Sequence, residues 1–246
     1  MGKHDSTKTR VQPAFDALGC SAEKWNKFFR LFPYGARVPI IQEGDIVEIR
    51  YGSKSGKGRG EKILHPPKSR LSWCVKHLKD EGLSGLQSKS KEVYEKRELL
   101  KKGCQKTIGE ALRLLGEEKK SGWFVLEGPT HPDIYIETKN FIAVGESKRN
   151  EPHLTTSTTW FKDRDQLIRH VDALLDQDDI PQKKVFSFLI TEEEYKELDY
   201  YEDLAYFKKS LPHRNLNAQK RAKESYLGRI SWTDLSEAFP EIQFSD

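Results

Sequence analysis

Two carboxylates and one ammonium, those of Asp133, Glu146 and Lys148, are the side chains of this sequence best placed to do chemistry. Mg²⁺ prefers oxygen ligands, usually takes one or two carboxylates from a protein, and fills its other positions with water and substrate phosphate. An ammonium cannot ligate the metal while charged, but it can orient an attacking water or stabilise charge on phosphate oxygens. These residue types together favour metal-dependent cleavage of a phosphodiester.

The stretches that carry these residues predict the two strands of a β-hairpin. Residues 132–137 (PDIYIE) and 141–148 (FIAVGESK) are rich in the Ile, Val, Phe and Tyr that strands favour. Between them, Thr138, Lys139 and Asn140 form a turn signal, in which Lys139 and Asn140 fit a two-residue loop.

The register of such a hairpin fixes which side chains meet. Counting outward from a two-residue loop, Asp133 falls directly opposite Glu146, and cross-strand partners lie about 4.5–5.5 Å apart at Cβ. Strand alternation sends Glu146 and Lys148 to the same face. The spacing therefore predicts that the three side chains converge.

The pattern Pro132-Asp133, followed by Glu146-x-Lys148 on the next strand, closely resembles the PD-(D/E)XK nuclease superfamily, which includes restriction endonucleases. The resemblance covers about residues 91–200 and is specific only around the hairpin. It implies that Asp133 and Glu146 bind Mg²⁺, with Mn²⁺ as a substitute, and that Lys148 assists the attack of water. One metal ion or two would be compatible with the motif.

A structural ion pair is the alternative interpretation of Glu146 and Lys148, because Glu-x-Lys arises by chance in a chain with 33% charged residues. The two residues end an apolar run, Phe141–Gly145, which does not alternate as a merely solvated strand would. An unpaired charge at that position would be costly to bury. This context favours the nuclease interpretation.

The segment from about Asp163 to Asp176 predicts an amphipathic helix that packs on the sheet. Gln166 and His170 stand one turn apart at the edge of its apolar stripe and could lean toward Glu146. The resemblance implies that Gln166 contacts substrate phosphate or orders water, which makes it a candidate catalytic residue. A polar rim on the helix is the alternative for both residues. The apolar stripe consists of Leu167, Ile168, Val171, Leu174 and Leu175.

Glu110 is a candidate further metal ligand, because many members of the superfamily carry a Glu on the helix before the first core strand. The alternative is a capping box formed with Thr107, since the apolar stripe of this helix leaves Glu110 pointing away from it. Glu127, at the end of a predicted strand that begins at Trp123, is the other candidate. The sequence leaves the choice between Glu110 and Glu127 open.

The composition predicts a folded, soluble protein. The chain has 246 residues, enough for one large domain or two modest ones, and its aromatic fraction of 11% argues against disorder despite a mean hydropathy of −0.75. It has no run of 18 apolar residues and no signal-peptide pattern, so we expect a cytoplasmic location and no membrane partner. The three scattered cysteines indicate neither disulfides nor a zinc site.

Two local basic clusters are candidates for contact with a phosphate backbone, although the net charge is only +4. Lys54, Lys57 and Arg59 lie in a Gly-Ser-rich stretch, and Lys220 and Arg221 lie in a second basic segment. The first cluster does not fit a Walker A loop, so we expect no nucleotide cofactor. Solvated loops are the alternative for both clusters.

The predicted fold class is α/β, with a restriction-endonuclease-like core in which helices flank a mixed central sheet. The Gly- and Ser-rich residues 82–90 place a boundary between an N-terminal α+β region (1–88) and a catalytic domain (89–246). The N-terminal region could be a DNA-recognition module or an elaboration packed on the core. In the catalytic domain, strands near residues 123, 133 and 141 follow a helical region and precede a helix and a strand at 184–191.

These observations predict a Mg²⁺-dependent DNA endonuclease of the restriction, mobile-element or defence type. A double-strand cutter needs two active sites, so a two-fold homodimer is the expected assembly. A nucleic-acid-binding protein that keeps the nuclease fold without turnover is the competing hypothesis. RNA has less support than DNA as the substrate, because no RNA-reading module is evident.

Overall fold

The computed structural model describes residues 7–52, 60–79, 90–117, 119, 121–148, 161–175, 183–192 and 199–244. Its centre is a five-stranded mixed sheet in which the strands follow chain order. The second strand is antiparallel to both of its neighbours, the first and the third, whereas the third, fourth and fifth strands run parallel. The strands are β1 (Ile46–Tyr51), β2 (Ile134–Thr138), β3 (Phe141–Ser147), β4 (Lys184–Thr191) and β5 (Tyr226–Ser231).

The hairpin of β2 and β3 has the register that the sequence predicts. Glu137 pairs with Ile142 and Ile134 pairs with Gly145, so Lys139 and Asn140 are the two-residue loop. The hydroxyl of Thr138 closes this loop, because its Oγ1 accepts a hydrogen bond from the backbone N of Phe141 at 3.0 Å. The turn therefore fixes the pairing of every residue along the two strands.

Helices cover both faces of the sheet, as the predicted α/β class requires. Three of them, α3 to α5, pack together in a cluster of their own with residues 123–126. The helices are α1 (Gln12–Leu18), α2 (Ala22–Arg30), α3 (Lys68–His77), α4 (Lys91–Lys101), α5 (Gln105–Gly116), α6 (Gln166–Leu175), α7 (Leu204–Ser210), α8 (Leu216–Glu224) and α9 (Trp232–Ala238).

Strand alternation divides the apolar core between the two faces of the sheet. One face packs against α1, α2 and α9, and its aromatic contacts include Phe28 with Phe188 at 5.4 Å between ring centroids. The other face packs against α6, α7 and α8 through Tyr135, Ile142 and Val144. Asp133, two residues before Tyr135, and Glu146, two residues after Val144, lie on this same face, toward α6.

The N-terminal elements belong to the same sheet and core as the elements after residue 88. The strand β1 pairs with β2 along its length, from Ile46 opposite Thr138 to Tyr51 opposite Ile134. Helices α1 and α2 share their apolar cluster with β3 and β4. The predicted boundary segment itself lies largely in residues 80–89, outside the described residues, and a DNA-reading role for the N-terminal region stays a prediction.

One sequence-based prediction of secondary structure was wrong. Residues 123–127 do not form a strand, because Glu127 turns into a buried cluster of arginines and Trp123 packs with α5. The strand beside β2 is β1 instead. The break between α1 and α2 lies at Gly19, which adopts a positive φ of 54°, and Ser21 caps the start of α2.

Among the described residues, no helix combines the length and the apolar character that crossing a membrane requires.

Candidate functional site

Asp133, Glu146 and Lys148 meet at one end of the sheet, on the face that packs against α6. Asp133 immediately precedes β2, and continuing the register beyond Ile134 and Gly145 places it opposite Glu146. The Nζ of Lys148 lies 3.4 Å from Oε2 of Glu146. The structure therefore brings together the three side chains that the sequence predicts to converge.

Asp133 is held by the residue that follows Glu146. Its Oδ2 accepts two hydrogen bonds of 2.8 Å from Ser147, one from the backbone N and one from the hydroxyl. Asp133 is partly exposed as a residue, although its carboxyl group is buried enough for burial to raise its pKa. Because both of these bonds use Oδ2, they leave Oδ1 for a further partner.

Glu146 is buried, with only 1% of its surface exposed. Its Oε1 lies 2.5 Å from Nε2 of His170, so one oxygen is fully engaged. Its Oε2 makes the ion-pair contact with Lys148 but has no hydrogen-bond partner. A buried carboxylate oxygen without a hydrogen bond is costly, and this one is positioned to accept a ligand.

The carboxyl groups of Asp133 and Glu146 both have a raised pKa, of about 7. Burial is the largest cause for each. The charge of Glu146 adds to the shift at Asp133, while the Lys148 ammonium opposes the shift at both. A cation bound between the two acids would favour their ionised forms and so lower both pKa values.

His170 connects Glu146 to Thr130. The Oγ1 of Thr130 lies 2.9 Å from Nδ1 of the imidazole, and the other ring nitrogen contacts Glu146. Burial lowers the pKa of His170 to about 3, so the ring is neutral and carries one N–H. When Glu146 is ionised, Nε2–H donates to its carboxylate and the Thr130 hydroxyl donates to Nδ1.

Asp165 fixes the start of α6, the helix that carries His170. Its Oδ1 accepts the backbone N–H of Ile168 at 2.9 Å, and its Oδ2 accepts the hydroxyls of Tyr201 and Tyr206. This is a helix N-cap made by a fully buried aspartate. The cap and the tyrosines together hold α6 in place against the strand that carries Glu146.

Gln166 is the first residue of α6 and is half-buried. It stands one turn before His170, so it lies on the side of the helix that approaches Glu146. Among the described residues, none forms a hydrogen bond with the side chain of Gln166, and its predicted contact with substrate stays a prediction.

The two further acidic candidates lie in ion pairs of their own. Glu110 contacts Nζ of Lys96 on α4 at 2.9 Å and is partly exposed. Glu127 is buried, and Arg70 and Arg164 hold its pKa down at about 2. Within the described part of the chain, no hydrogen bond or ion pair joins either of them to Asp133 or Glu146.

The basic residues predicted to contact nucleic acid lie in two different situations. Lys54, Lys57 and Arg59 are outside the described residues. Lys220 and Arg221 are exposed on α8. Arg221 lines a cleft of about 450 Å³ whose other cationic lining residues are Arg37, Lys183 and Lys184.

The cleft lies at the opposite end of the sheet from the acidic pair. Lys184 pairs with Phe141 at the start of β3, whereas Glu146 pairs with Leu189 near its end. Five residues along a strand correspond to roughly 16 Å.

Sequence reasoning missed three residues around the site, because it did not single out Thr130, Ser147 or Glu61. For His170 it left two alternatives open, and the structure shows the one in which the ring leans toward Glu146. Glu61 lies close enough to raise the pKa of Glu146 by repulsion between like charges. Only the Ser147 contact had a local signal, because Ser147 follows Glu146 on the strand opposite Asp133. Thr130, which contacts His170, and Glu61, which acts on Glu146 by its charge, come from more distant parts of the chain.

The donor set fits a hard divalent cation. Within the described ranges, no three His, Cys, Asp or Glu side chains form a metal-binding group. The partly exposed Asp133 and the unbonded Oε2 of Glu146 thus offer one or two carboxylates, which is what Mg²⁺ usually takes from a protein when water and phosphate complete its coordination.

Comparisons with protein-family models, with curated proteins and with solved structures found no match for this chain.

Proposed function

We propose that this protein is a Mg²⁺-dependent DNA endonuclease with a restriction-endonuclease-like core of the PD-(D/E)XK type. The observation that carries the proposal is the hairpin register, which places Asp133 opposite Glu146 with the Lys148 ammonium 3.4 Å from the Glu146 carboxylate. The mixed sheet supports it, since an antiparallel meander followed by a parallel strand is the strand arrangement expected for that core.

Asp133 and Glu146 would hold the cation, and Mn²⁺ would replace Mg²⁺ with the same oxygen ligands. When bound there, the cation supplies an activated water and neutralises charge on the scissile phosphate. Hydrolysis would form a bond from the water oxygen to phosphorus and break the bond to the leaving sugar oxygen, and the proton that the water loses would balance the one that the sugar oxygen takes up.

Lys148 is the electrostatic residue of this site. Its ammonium is largely buried beside Glu146, where a charge acts more strongly than it does in water. From that position Nζ can orient the attacking water or donate a hydrogen bond to a phosphate oxygen. Its backbone is fixed as well, because its N donates to Ile190 and its O accepts from the indole of Trp232.

Ser147 and His170 orient the two acidic residues. The two hydrogen bonds from Ser147 fix Oδ2 of Asp133, and the imidazole of His170 fixes Oε1 of Glu146. The remaining oxygens, Oδ1 of Asp133 and Oε2 of Glu146, are the ones left for a cation. Hydrogen bonds of this kind to the ligands of a metal raise the affinity of the site for the metal, because they limit the motion of the ligands.

Contact of Lys220 and Arg221 with the DNA backbone is part of the proposal. Arg221 and the other cations of its cleft present positive charge about 16 Å along the strands from Glu146. At 3.4 Å per base pair, about five base pairs of a duplex lying along the sheet would span this distance. A two-fold homodimer would supply the second active site for cutting both strands.

Plasmid nicking tests the proposal. Purified protein should convert supercoiled plasmid to nicked and linear forms with Mg²⁺ or Mn²⁺, and Asp133→Asn or Lys148→Ala should lower the rate at least about 10²-fold. Lys139→Ala is the matched control, because Lys139 is an exposed lysine at the turn of the same hairpin. Nicking that survives in both site variants would remove the proposed site.

Nucleic-acid binding without turnover is the second candidate function. It is favoured by the partners that Glu146 already has, because the Lys148 ammonium offsets much of its charge and the neutral His170 ring occupies Oε1. This candidate predicts that plasmid binds with a metal-independent affinity while no nicking appears with either metal. RNA and DNA of one sequence, compared in the same assay, identify the substrate.

A further inference from the structure

A small cavity lies apart from the acidic site, between α3, the segment before α6 and the end of α7. Its volume is about 30 Å³. The polar and charged side chains of its lining carry more positive than negative charge. The lining residues are Arg70, Trp73, Phe161, Asp163, Arg164, Lys209, Ser210 and Pro212.

The buried ion network behind this cavity has an excess of guanidinium groups. Glu127 contacts Arg70 at 2.9 Å and Arg164 at 2.8 Å. Asp172 contacts Arg164 and Arg214, each at 2.7 Å. Three guanidinium groups therefore share two carboxylates through these contacts, and Arg169 adds a fourth at 3.5 Å from Glu127. The surplus of positive charge is available to an anion.

Arg70 is the member of the network that both lines the cavity and has an unused donor. Its side chain is only 1% exposed, and its Nε donates to Glu127. Its guanidinium lies over the ring of Phe161 at 4.3 Å and that of Trp73 at 5.0 Å. Its Nη2 is buried without a hydrogen-bond partner. Such a donor is rare in folded proteins and calls for an acceptor.

Ser210 and Lys209 supply further donors at the same cavity. The Oγ of Ser210 accepts the backbone N–H of Asp165, which leaves the hydroxyl proton for another acceptor. Lys209 is exposed on α7 and gives the cavity a cation at its solvent side. Asp163 is the acidic residue of the lining, and it is also exposed.

We propose that this cavity binds a tetrahedral oxyanion of the phosphate type, with Arg70 Nη2, the Ser210 hydroxyl and Lys209 as donors. By the same measure of volume one water needs about 10–15 Å³, so the cavity admits two or three oxygen atoms of a phosphate while the rest faces solvent. A cation is excluded by the charge of the lining. The site does not depend on the nuclease activity, because it contains neither Asp133 nor Glu146.

Phosphate binding by single-lysine variants tests the site. Isothermal titration with inorganic phosphate at constant ionic strength, with chloride replaced as phosphate is added, should show saturable binding to one site. Lys209→Gln should weaken this binding about two- to fivefold, the effect of one exposed charge. Asp163→Asn should strengthen it by a similar factor. Lys208→Gln is the matched control on the same helix and should leave the affinity unchanged.

Two dinucleotides, with and without a 5′-phosphate, identify the source of the phosphate. Tighter binding of the 5′-phosphorylated dinucleotide than of inorganic phosphate would assign a nucleic-acid end to the site, whereas the reverse order would assign free phosphate. The dinucleotide without the 5′-phosphate is the control, and it should not bind at this site. Asp133→Asn should bind phosphate like the wild type even if nicking is lost. The absence of saturable binding, or equal effects of Lys209→Gln and Lys208→Gln, would overturn the proposal.

Discussion

The imidazole Nε2 of His170 lies 2.5 Å from Oε1 of Glu146, and both side chains are excluded from solvent. Thr130 holds the opposite nitrogen of the ring, so a fixed chain of three side chains ends at the candidate metal ligand. This arrangement directs Oε2 of Glu146 toward Lys148. Removing the imidazole would leave the carboxylate free to rotate.

Replacing His170 should therefore weaken metal binding. We expect His170→Ala to lower Mn²⁺ affinity, measured by calorimetry, by about 10- to 100-fold, the usual cost of losing an outer-shell partner. His170→Gln should recover part of the loss, because its amide can donate to Oε1 of Glu146. His131→Ala, at an exposed histidine next to Thr130, should have no effect. Equal affinities for the Ala and Gln variants would argue against a positioning role.

Magnesium should stabilise the protein in a pH-dependent way. The pKa of Asp133 rises from 3.8, and that of Glu146 from 4.5, to about 7 in the folded state. Between these values the unfolded chain ionises first, so the metal-free protein loses stability as the pH rises from about 4 to 7. A cation offsets this loss once both acids are ionised.

Thermal melts with and without Mg²⁺ measure this effect. A concentration near 100 times Kd contributes about 2.7 kcal/mol, or roughly 5–10 °C in Tm for a domain of this size. We expect that shift at pH 8 and a much smaller one at pH 5.5, where protons compete. The Asp133→Asn variant should show little shift at either pH. A Mg²⁺ shift that is equal at the two pH values would contradict the assignment.

Glu127 should be a strong contributor to stability. Arg164 and Arg70 lower its pKa from 4.5 to about 2 despite its burial. We expect Glu127→Gln to lower the free energy of unfolding by about 3–5 kcal/mol at pH 7, because it leaves buried guanidinium groups uncompensated. Because the pKa of Glu127 is lower in the folded than in the unfolded protein, its stabilising effect is complete above about pH 4.5 and is lost as the pH falls toward 2. The difference in unfolding free energy between the variant and the wild type should shrink over the same range.

Glu110→Gln is the control for this prediction. Glu110 is partly exposed in its pair with Lys96, so its loss should cost about 0–1 kcal/mol. Urea titrations at several pH values compare the two variants. A pH-independent difference between Glu127→Gln and the wild type would show that the ion network does not carry the effect.

Adding a side chain at Gly145 should lower the stability of the protein. A Cβ added there would overlap the ring of Phe188, which packs against the strand one residue before Glu146. We expect Gly145→Ala to cost about 1–3 kcal/mol through overpacking and to reduce nicking, because β3 must shift. Gly109→Ala on α5 meets open space and should instead stabilise by about 0.5–1 kcal/mol. Thermal melts of the two variants test this contrast.

The hairpin and its site could be predicted from sequence because their geometry is local. A two-residue loop at Lys139 and Asn140 fixes the register, and alternation then assigns each side chain to a face. The strand at 184–191 was predicted correctly for a related reason, since a short run of β-branched and aromatic residues indicates a buried strand.

The features of the fold and the site that the sequence did not predict depend on contacts between distant segments of the chain. Pairing of β1 with β2 joins residues more than eighty positions apart, which no local pattern records. The stretch 123–127 has the apolar character of a strand, but Glu127 is drawn into the arginine network. His170 also becomes a partner of Glu146, and Thr130 a partner of His170, only after α6 docks on the sheet.

The pairing of β1 with β2 limits how this protein can be divided. A fragment beginning at residue 89 would keep Asp133, Glu146 and Lys148 but lack β1, leaving the backbone donors and acceptors of β2 open along one edge. It would also uncover Ile134 and Ile136, whose cover includes the first two helices. Such a fragment would present an unpaired strand edge, prone to association, next to the two candidate metal ligands, so tests of the proposed chemistry need the first fifty residues.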